Sequence, residues 1–239
     1  MSSMFLEEYI TPLLAGNRVA CREYVRKLTT GGVEPISLYN ELLWPAMERV
    51  DKLFRADRIN AAAEHMATRI NRIVVEQLQS GLTRAPANGK RMIVTCADGE
   101  PEELGAQMSA DLFEAQGWEV YFVGGGVPND EILSLVGRIR PDLQLIFGTQ
   151  PAGVPGVRKL IDMIHGVGGA PTMNIMVSGG VFTRADGLWK EVNADLYARS
   201  IHEALSMAAS AEPRVACERP AGPMKKRRRR RRALAEAGA

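Results

Sequence analysis

Four carboxylates crowd one short stretch of this chain: Asp98, Glu100, Glu102 and Glu103, within RMIVTCADGEPEELG at residues 91–105. Met92 to Cys96 has the look of a buried strand, an acidic loop follows, and a helix opens near Glu103–Gly105. Carboxylates in that place answer the exposed N–H groups and positive dipole end of a helix. They also attract a hard cation such as Mg²⁺, and they repel the phosphates of a nucleotide. Three further apolar runs end in glycine: Gly124-Gly125-Gly126-Val127-Pro128, Gly148-Thr149-Gln150-Pro151 and Ser178-Gly179-Gly180-Val181. Each makes sense as a tight turn. Together they strip side chains from one rim, which lets a bulky flat ligand approach the backbone closely. His65 stands on a separate apolar-periodic segment, where taken alone it is a helix-packing histidine.

The elements that must position these residues fall into two sets. Residues 4–82 show no strand pattern; apolar residues recur at helical spacing, including Leu38, Leu42, Val50, Leu53, Ile70, Val74 and Leu78. Gly16–Asn17, Gly31–Gly32 and Asp57–Arg58 punctuate them, which predicts helices at 3–15, 17–30, 35–55 and 59–82, closing as a four-helix bundle. From residue 91 strands and helices alternate. Strands are expected at 91–96, 119–123, 143–148, 173–178 and 194–197, and helices at 103–116, 129–140, 154–165, 184–191 and 200–209. The fold class is α/β: an N-terminal four-helix bundle followed by a flavodoxin-like, Rossmann-type, five-stranded parallel sheet of order 2-1-3-4-5. The expected division is a helical cap at 1–83, a linker at 84–90, an α/β domain at 91–210 and a disordered basic tail at 211–239. In open sheets of this kind ligands bind past the carboxyl ends of the strands, where the acidic loop and the glycines all fall.

Composition removes several classes. No stretch approaches the roughly 20 apolar residues that span a bilayer, and the start of the chain lacks a secretory layout, so a cytoplasmic location is expected. Cys21, Cys96 and Cys217 form no Cys-x-x-Cys pair, against a disulfide framework or a zinc site. No Gly-x-Ser-x-Gly elbow appears, and the first strand–helix loop lacks the Gly-x-Gly-x-x-Gly of dinucleotide sites. Of 30 Lys and Arg, eight form the run Lys225 to Arg232, leaving 22 against 28 acidic residues, a body of net −6. The run is expected to meet nucleic acid or an acidic partner, with an anionic membrane surface or the acidic body itself as alternatives. It holds no aromatics for base stacking.

The stretch from about 1 to 200 resembles the two-part cobalamin-binding module of methionine synthase, corrinoid methyl-transfer proteins and cobalamin-dependent light-sensing regulators. Glu100-Pro101-Glu102-Glu103-Leu104-Gly105 falls on that family's Asp-x-His-x-x-Gly signature, with Glu102 where the lower cobalt-ligating histidine stands. Gly148-Thr149-Gln150 falls near its Ser-x-Leu, and Gly179-Gly180 on its Gly-Gly pair. The light-sensing members carry Trp, nine residues, then Glu-His on the cap; here Phe54 precedes Glu64-His65 at that spacing.

The resemblance implies a corrinoid between cap and sheet, with Phe54, Glu64 and His65 at its upper face and His65 as upper axial ligand to cobalt. Glu100, Glu102, Gly105, Gly124, Thr149, Ser178, Gly179 and Gly180 are implied in the lower pocket. A carboxylate prefers harder ions than imidazole does, so cobalamin is expected base-on, keeping its own benzimidazole, or bound by His65 from above; loss of the ligand is the alternative. The implied function is a non-enzymatic cobalamin-binding sensor or regulator, with homo-oligomerisation through the bundle. The alternatives are a corrinoid carrier subunit for a methyltransferase, or an interaction module tethered by its Arg-rich tail. The light-sensing members bind DNA through an N-terminal helix-turn-helix domain; the bundle opens at once here, and none is expected.

Overall fold

The computed structural model describes residues 2–100 and 103–215. The helical layer comprises α1 (Ser2–Leu14), α2 (Arg18–Thr30), α3 (Pro35–Leu38), α4 (Trp44–Arg55) and α5 (Ala61–Gln79). Asn17 and Asn60 cap α2 and α5, each side-chain oxygen accepting from the backbone N–H three residues on. The expected single helix over 35–55 is interrupted by a wide π turn, Tyr39–Leu43, in which the Trp44 N–H donates to the Tyr39 carbonyl. Pro45 explains it. Its nitrogen has no proton, and its ring crowds the carbonyl four residues back, so the backbone widens just ahead of it.

Five parallel strands follow: β1 (Arg91–Cys96), β2 (Glu119–Gly124), β3 (Leu143–Phe147), β4 (Asn174–Ser178) and β5 (Leu196–Ala198). Their order is β2-β1-β3-β4-β5, as the alternation predicts. The covering helices are α6 (Leu104–Ala115), α7 (Asn129–Ile139), α8 (Val154–Val167), the short α9 (Gly180–Arg184) and α10 (Leu188–Glu191), and α11 (Ile201–Ser210). Of the helix expected at 184–191 only α10 forms within the span; α9 precedes it and ends at Arg184, and Gly187, at φ +79°, parts the two. β5 starts at Leu196, two residues later than expected, after Asn193 adopts a left-handed conformation.

The sheet separates two cores. Met92, Val94, Leu143, Leu145 and Phe147 face α6 and share one continuous cluster with Tyr9, Leu13, Leu42, Val74 and Val75 of the helical layer. Ile93, Ile146, Ile175 and Val177 face the other way, against α7 and α8. The alternation of strand side chains therefore welds the bundle to one sheet face. Residues 84–90, expected as a linker, lie along the end of α6: Ala85 N–H donates to Ala115 O and Asn88 N–H to Gly117 O. Gly117 permits this, because a Cβ there would fall 2.2 Å from Pro86 O. Among the described residues no helix is long and apolar enough to cross a membrane.

Gly179, closing β4, has φ +104°, and an added Cβ would lie 2.3 Å from the Gly148 carbonyl oxygen. Gly179→Ala is therefore expected to cost about 3 kcal/mol of stability, from backbone strain plus steric overlap. A urea unfolding curve measures it; an unchanged midpoint contradicts this account of the β3–β4 rim.

Candidate functional site

The carboxyl ends of β1, β3 and β4, with the loops that follow, form a rim beneath the helical layer. Glu100 is buried there at 9% exposure, its carboxylate accepting from both the backbone N–H and the hydroxyl of Thr149, just past β3. Glu103 reaches the other way and accepts from Gly125 N–H at 2.7 Å. Gly124, φ +74°, leaves room for this, since a Cβ would come within 3.0 Å of the Glu103 carboxylate. The acidic loop is thus held to its two neighbouring loops by charge-assisted bonds. No group of three or more metal-ligating side chains occurs among the described residues, so the cation reading of this cluster gains nothing.

Glycines shape the floor. Gly179 packs directly on Gly148, and Gly105 faces Phe147 so closely that a Cβ would sit 2.3 Å from the ring. Ser178 is buried, its hydroxyl donating to Ala198 O at 2.9 Å, so it links β4 to β5. Burial pushes the Cys96 thiol up to about 12, with Glu103 and Glu100 adding to the shift and Arg72 opposing it. Cys96 remains a thiol and is no nucleophile.

The helical layer closes on this rim at two points. Trp44, aimed by the π turn, meets Phe147 edge-on, with centroids 6.4 Å apart and planes at 87°. Arg184, at the end of α9, donates to Thr149 O and lies 3.7 Å from Asp51 on α4. The junction combines an aromatic edge, glycine-rich strand ends and polar loop groups. A corrin, a flat apolar macrocycle fringed with amides, suits such surroundings, while the Gly179–Gly148 and Gly105–Phe147 approaches are filled by the chain's own atoms and fix the floor beneath.

Comparison with known proteins agrees. Two B12 binding domain profiles match residues 6–79 and 90–206. The chain belongs to the B12-binding family. Its ligand class is a cobalamin-type corrinoid. The chain is 22% identical over 210 residues to dimethylamine corrinoid protein 1 of Methanosarcina acetivorans, covering 84% of this chain and 97% of that protein. A shorter match, 29% over 86 residues, reaches the HTH-type transcriptional repressor CarA of Myxococcus xanthus, covering 36% of this chain and 30% of the repressor. The solved monomethylamine corrinoid protein of Methanosarcina barkeri superimposes with a TM-score of 0.77 at 18% identity, covering 87% of this chain and 98% of that one. At that identity the likeness concerns the fold.

The structure brings Glu100, Gly105, Gly124, Thr149, Ser178, Gly179 and Gly180 to one end of the sheet. Glu102 lies outside the described residues, as does the basic run Lys225 to Arg232. Glu64 holds Thr68 through a 3.2 Å hydrogen bond, and its side chain is 15% exposed. Thr68, Arg72 and Gln79, about one, two and four helical turns onward, share the face of α5 that meets the α/β layer. His65 and Phe54 are exposed, and the His65 Nε2 lies 3.7 Å from Glu64. Sequence reading missed Trp44, Phe147, Asp51 and Arg184. The Trp44-Pro45 pair carried a signal for the first, because a proline inside an apolar helix run demands a distortion nearby.

Glu100→Ala removes two part-buried charge-assisted bonds and leaves the Thr149 donors unmet. A loss of about 2–3 kcal/mol is expected. Chemical denaturation checks it, and a cost below about 0.5 kcal/mol, the level of an ordinary surface change, rules out the bracing role.

Proposed function

We propose that this chain is a corrinoid-carrying subunit of a methyl-transfer system, a carrier and not itself a catalyst. The carrying observation is coextension: helical layer and α/β layer together span 97% of a dimethylamine corrinoid protein, in the same order. A corrinoid, when bound, would supply a cobalt able to accept and release a methyl group. The chain's own groups would bind and orient it. Gly180 and Thr149, part-exposed at the strand ends, would border it, Trp44 would shield one edge from water, and the buried Gly105, Phe147, Gly148, Ser178 and Gly179 would hold the floor beneath in shape. Glu100 and Glu103 would keep the loop carrying Glu102 in register.

In this reading Glu102 would offer a carboxylate and no imidazole to the metal, and the base for it would have to come from the corrinoid itself. His65, exposed beside Glu64, would leave the upper position open for exchange. The regulatory reading uses the same residues differently: Phe54, Glu64 and His65 would close over the upper face, with His65 as cobalt ligand. Its support is the Phe54…Glu64-His65 spacing and the partial match to a repressor. The match reaches less than a third of that repressor's length, which favours the carrier.

Protein incubated with hydroxocobalamin and freed of excess ligand by gel filtration is expected to retain corrin absorption. The reduced cobalt(II) form should show nitrogen splitting in its paramagnetic resonance spectrum that is unaltered by ¹⁵N-histidine labelling. His65→Ala should leave both spectra unchanged. Loss of corrin absorption from the wild-type protein refutes both readings. A spectrum altered by His65→Ala supports the regulatory one.

A further inference from the structure

Away from the rim, a second polar cluster joins the two layers. Asp111, on α6, is 5% exposed, and Tyr39, in the π turn, is fully buried. The Tyr39 hydroxyl oxygen lies 2.9 Å from Asp111 Oδ2 and 3.1 Å from the Val75 carbonyl of α5. Gln79, also on α5, donates to Asp111 Oδ1 at 2.8 Å. The charged neighbour acting on Asp111 is Glu114, on its own helix and paired at 3.0 Å with Arg84 of the 80–90 segment. A hollow of about 350 Å³ bordered by Gln79, Gln107, Glu114 and Phe122 reaches Asp111 from solvent, so protons have a path to it.

The hydroxyl of Tyr39 carries one proton and faces two acceptors. With Asp111 ionised, that proton serves either the carboxylate or the Val75 carbonyl, and the other contact sets oxygen against oxygen. With Asp111 protonated, Asp111 donates to the Tyr39 oxygen, Tyr39 donates to Val75 O, and Gln79 donates to Asp111 Oδ1. Every contact is then a hydrogen bond. We propose that Tyr39, Asp111 and Gln79 form a proton-operated clasp, which grips the helical layer to α6 when Asp111 is neutral and loosens when it ionises.

Burial raises the Asp111 carboxyl to about 6, against the pull of the Tyr39 bond, with Glu114 adding to the rise and Gln79 opposing it. Burial, then the Asp111 charge, pushes the Tyr39 phenol upward, so it keeps its proton. The sign follows. A carboxyl raised from 3.8 to about 6 binds its proton more tightly in the closed form, so the added grip is complete below 3.8 and lost as pH rises through 6. Between pH 5 and 7.5 the closing equilibrium changes by about tenfold. The clasp belongs to the chain alone. Its consequence, easier access to a bound corrinoid at neutral than at acid pH, rests on the carrier reading.

Amide hydrogen exchange of the ligand-free protein tests it, with protection factors corrected for intrinsic exchange. Backbone protection over 39–43 is expected to be about tenfold higher at pH 5 than at pH 7.5. Asp111→Asn, whose amide donates to Tyr39 and whose oxygen accepts from Gln79, should hold the higher protection at both pH values. An Asp111→Asn protein that keeps the wild-type pH dependence overturns the proposal. Carboxyl ¹³C titration of wild-type Asp111 decides independently of whether that variant folds: a midpoint near 6 supports the clasp, and one near 4 overturns it. Corrinoid binding enters neither measurement, so failure here leaves the carrier reading standing.

Discussion

The packing of α6 between the helical layer and the sheet is the contact on which the rest of the molecule depends. Leu104, Met108, Leu112 and Phe113 bury almost completely, joining the strand side chains Met92, Val94 and Leu145 to Val74 and Val75 of α5 in a single apolar cluster. Each such side chain contributes about 1.5–3 kcal/mol of transfer free energy when fully buried. The two layers are consequently one folding unit energetically, although their secondary structures differ in kind. α6 also begins at the acidic loop, so the same helix that anchors the layers sets where Glu100 and Glu103 emerge.

That placement changes what the acidic loop is for. Four carboxylates near a helix N-terminus invite a metal or a simple dipole argument, yet Glu100 and Glu103 are spent on neighbours. Glu100 holds the loop after β3, and Glu103 holds the loop after β2. Both act sideways along the rim. The helix dipole stabilises them where they stand, while the hydrogen bonds give them direction. Arg184 extends this bracing upward to Asp51, so the rim and the helical layer are linked by charge on one side and by the Trp44–Phe147 contact on the other.

Much of the fold was legible because its signals are local. Strand β1 could be delimited to the residue, since Arg91 to Cys96 lies between a polar turn and the acidic loop. Alternation gave the parallel sheet, and the strand order was expected from the flavodoxin-like pattern that five such strands suit. The helix expected at 184–191 failed because Gly187 needed left-handed backbone that periodicity does not reveal, and Asn193 likewise delayed the start of β5. At the site, the glycines announced the rim, as backbone approach demands them whatever the partner. Bridges between layers were hidden: Asp51 and Arg184 are 133 positions apart, as are few pairs that a sequence pattern can connect. Tyr39 and Asp111 pair across 72 positions, and each looks ordinary in its own helix.

The docked segment after α5 has a mechanical consequence. Ala85 and Asn88 are fastened to the end of α6, so the slack between the layers is confined to residues 80–84. Five residues drawn out straight reach about 17 Å. Any separation of the helical layer from the sheet would be limited to that short leash. A tether of this length keeps the uncovered face within one molecular radius of its own cover, so re-covering needs no search through solution.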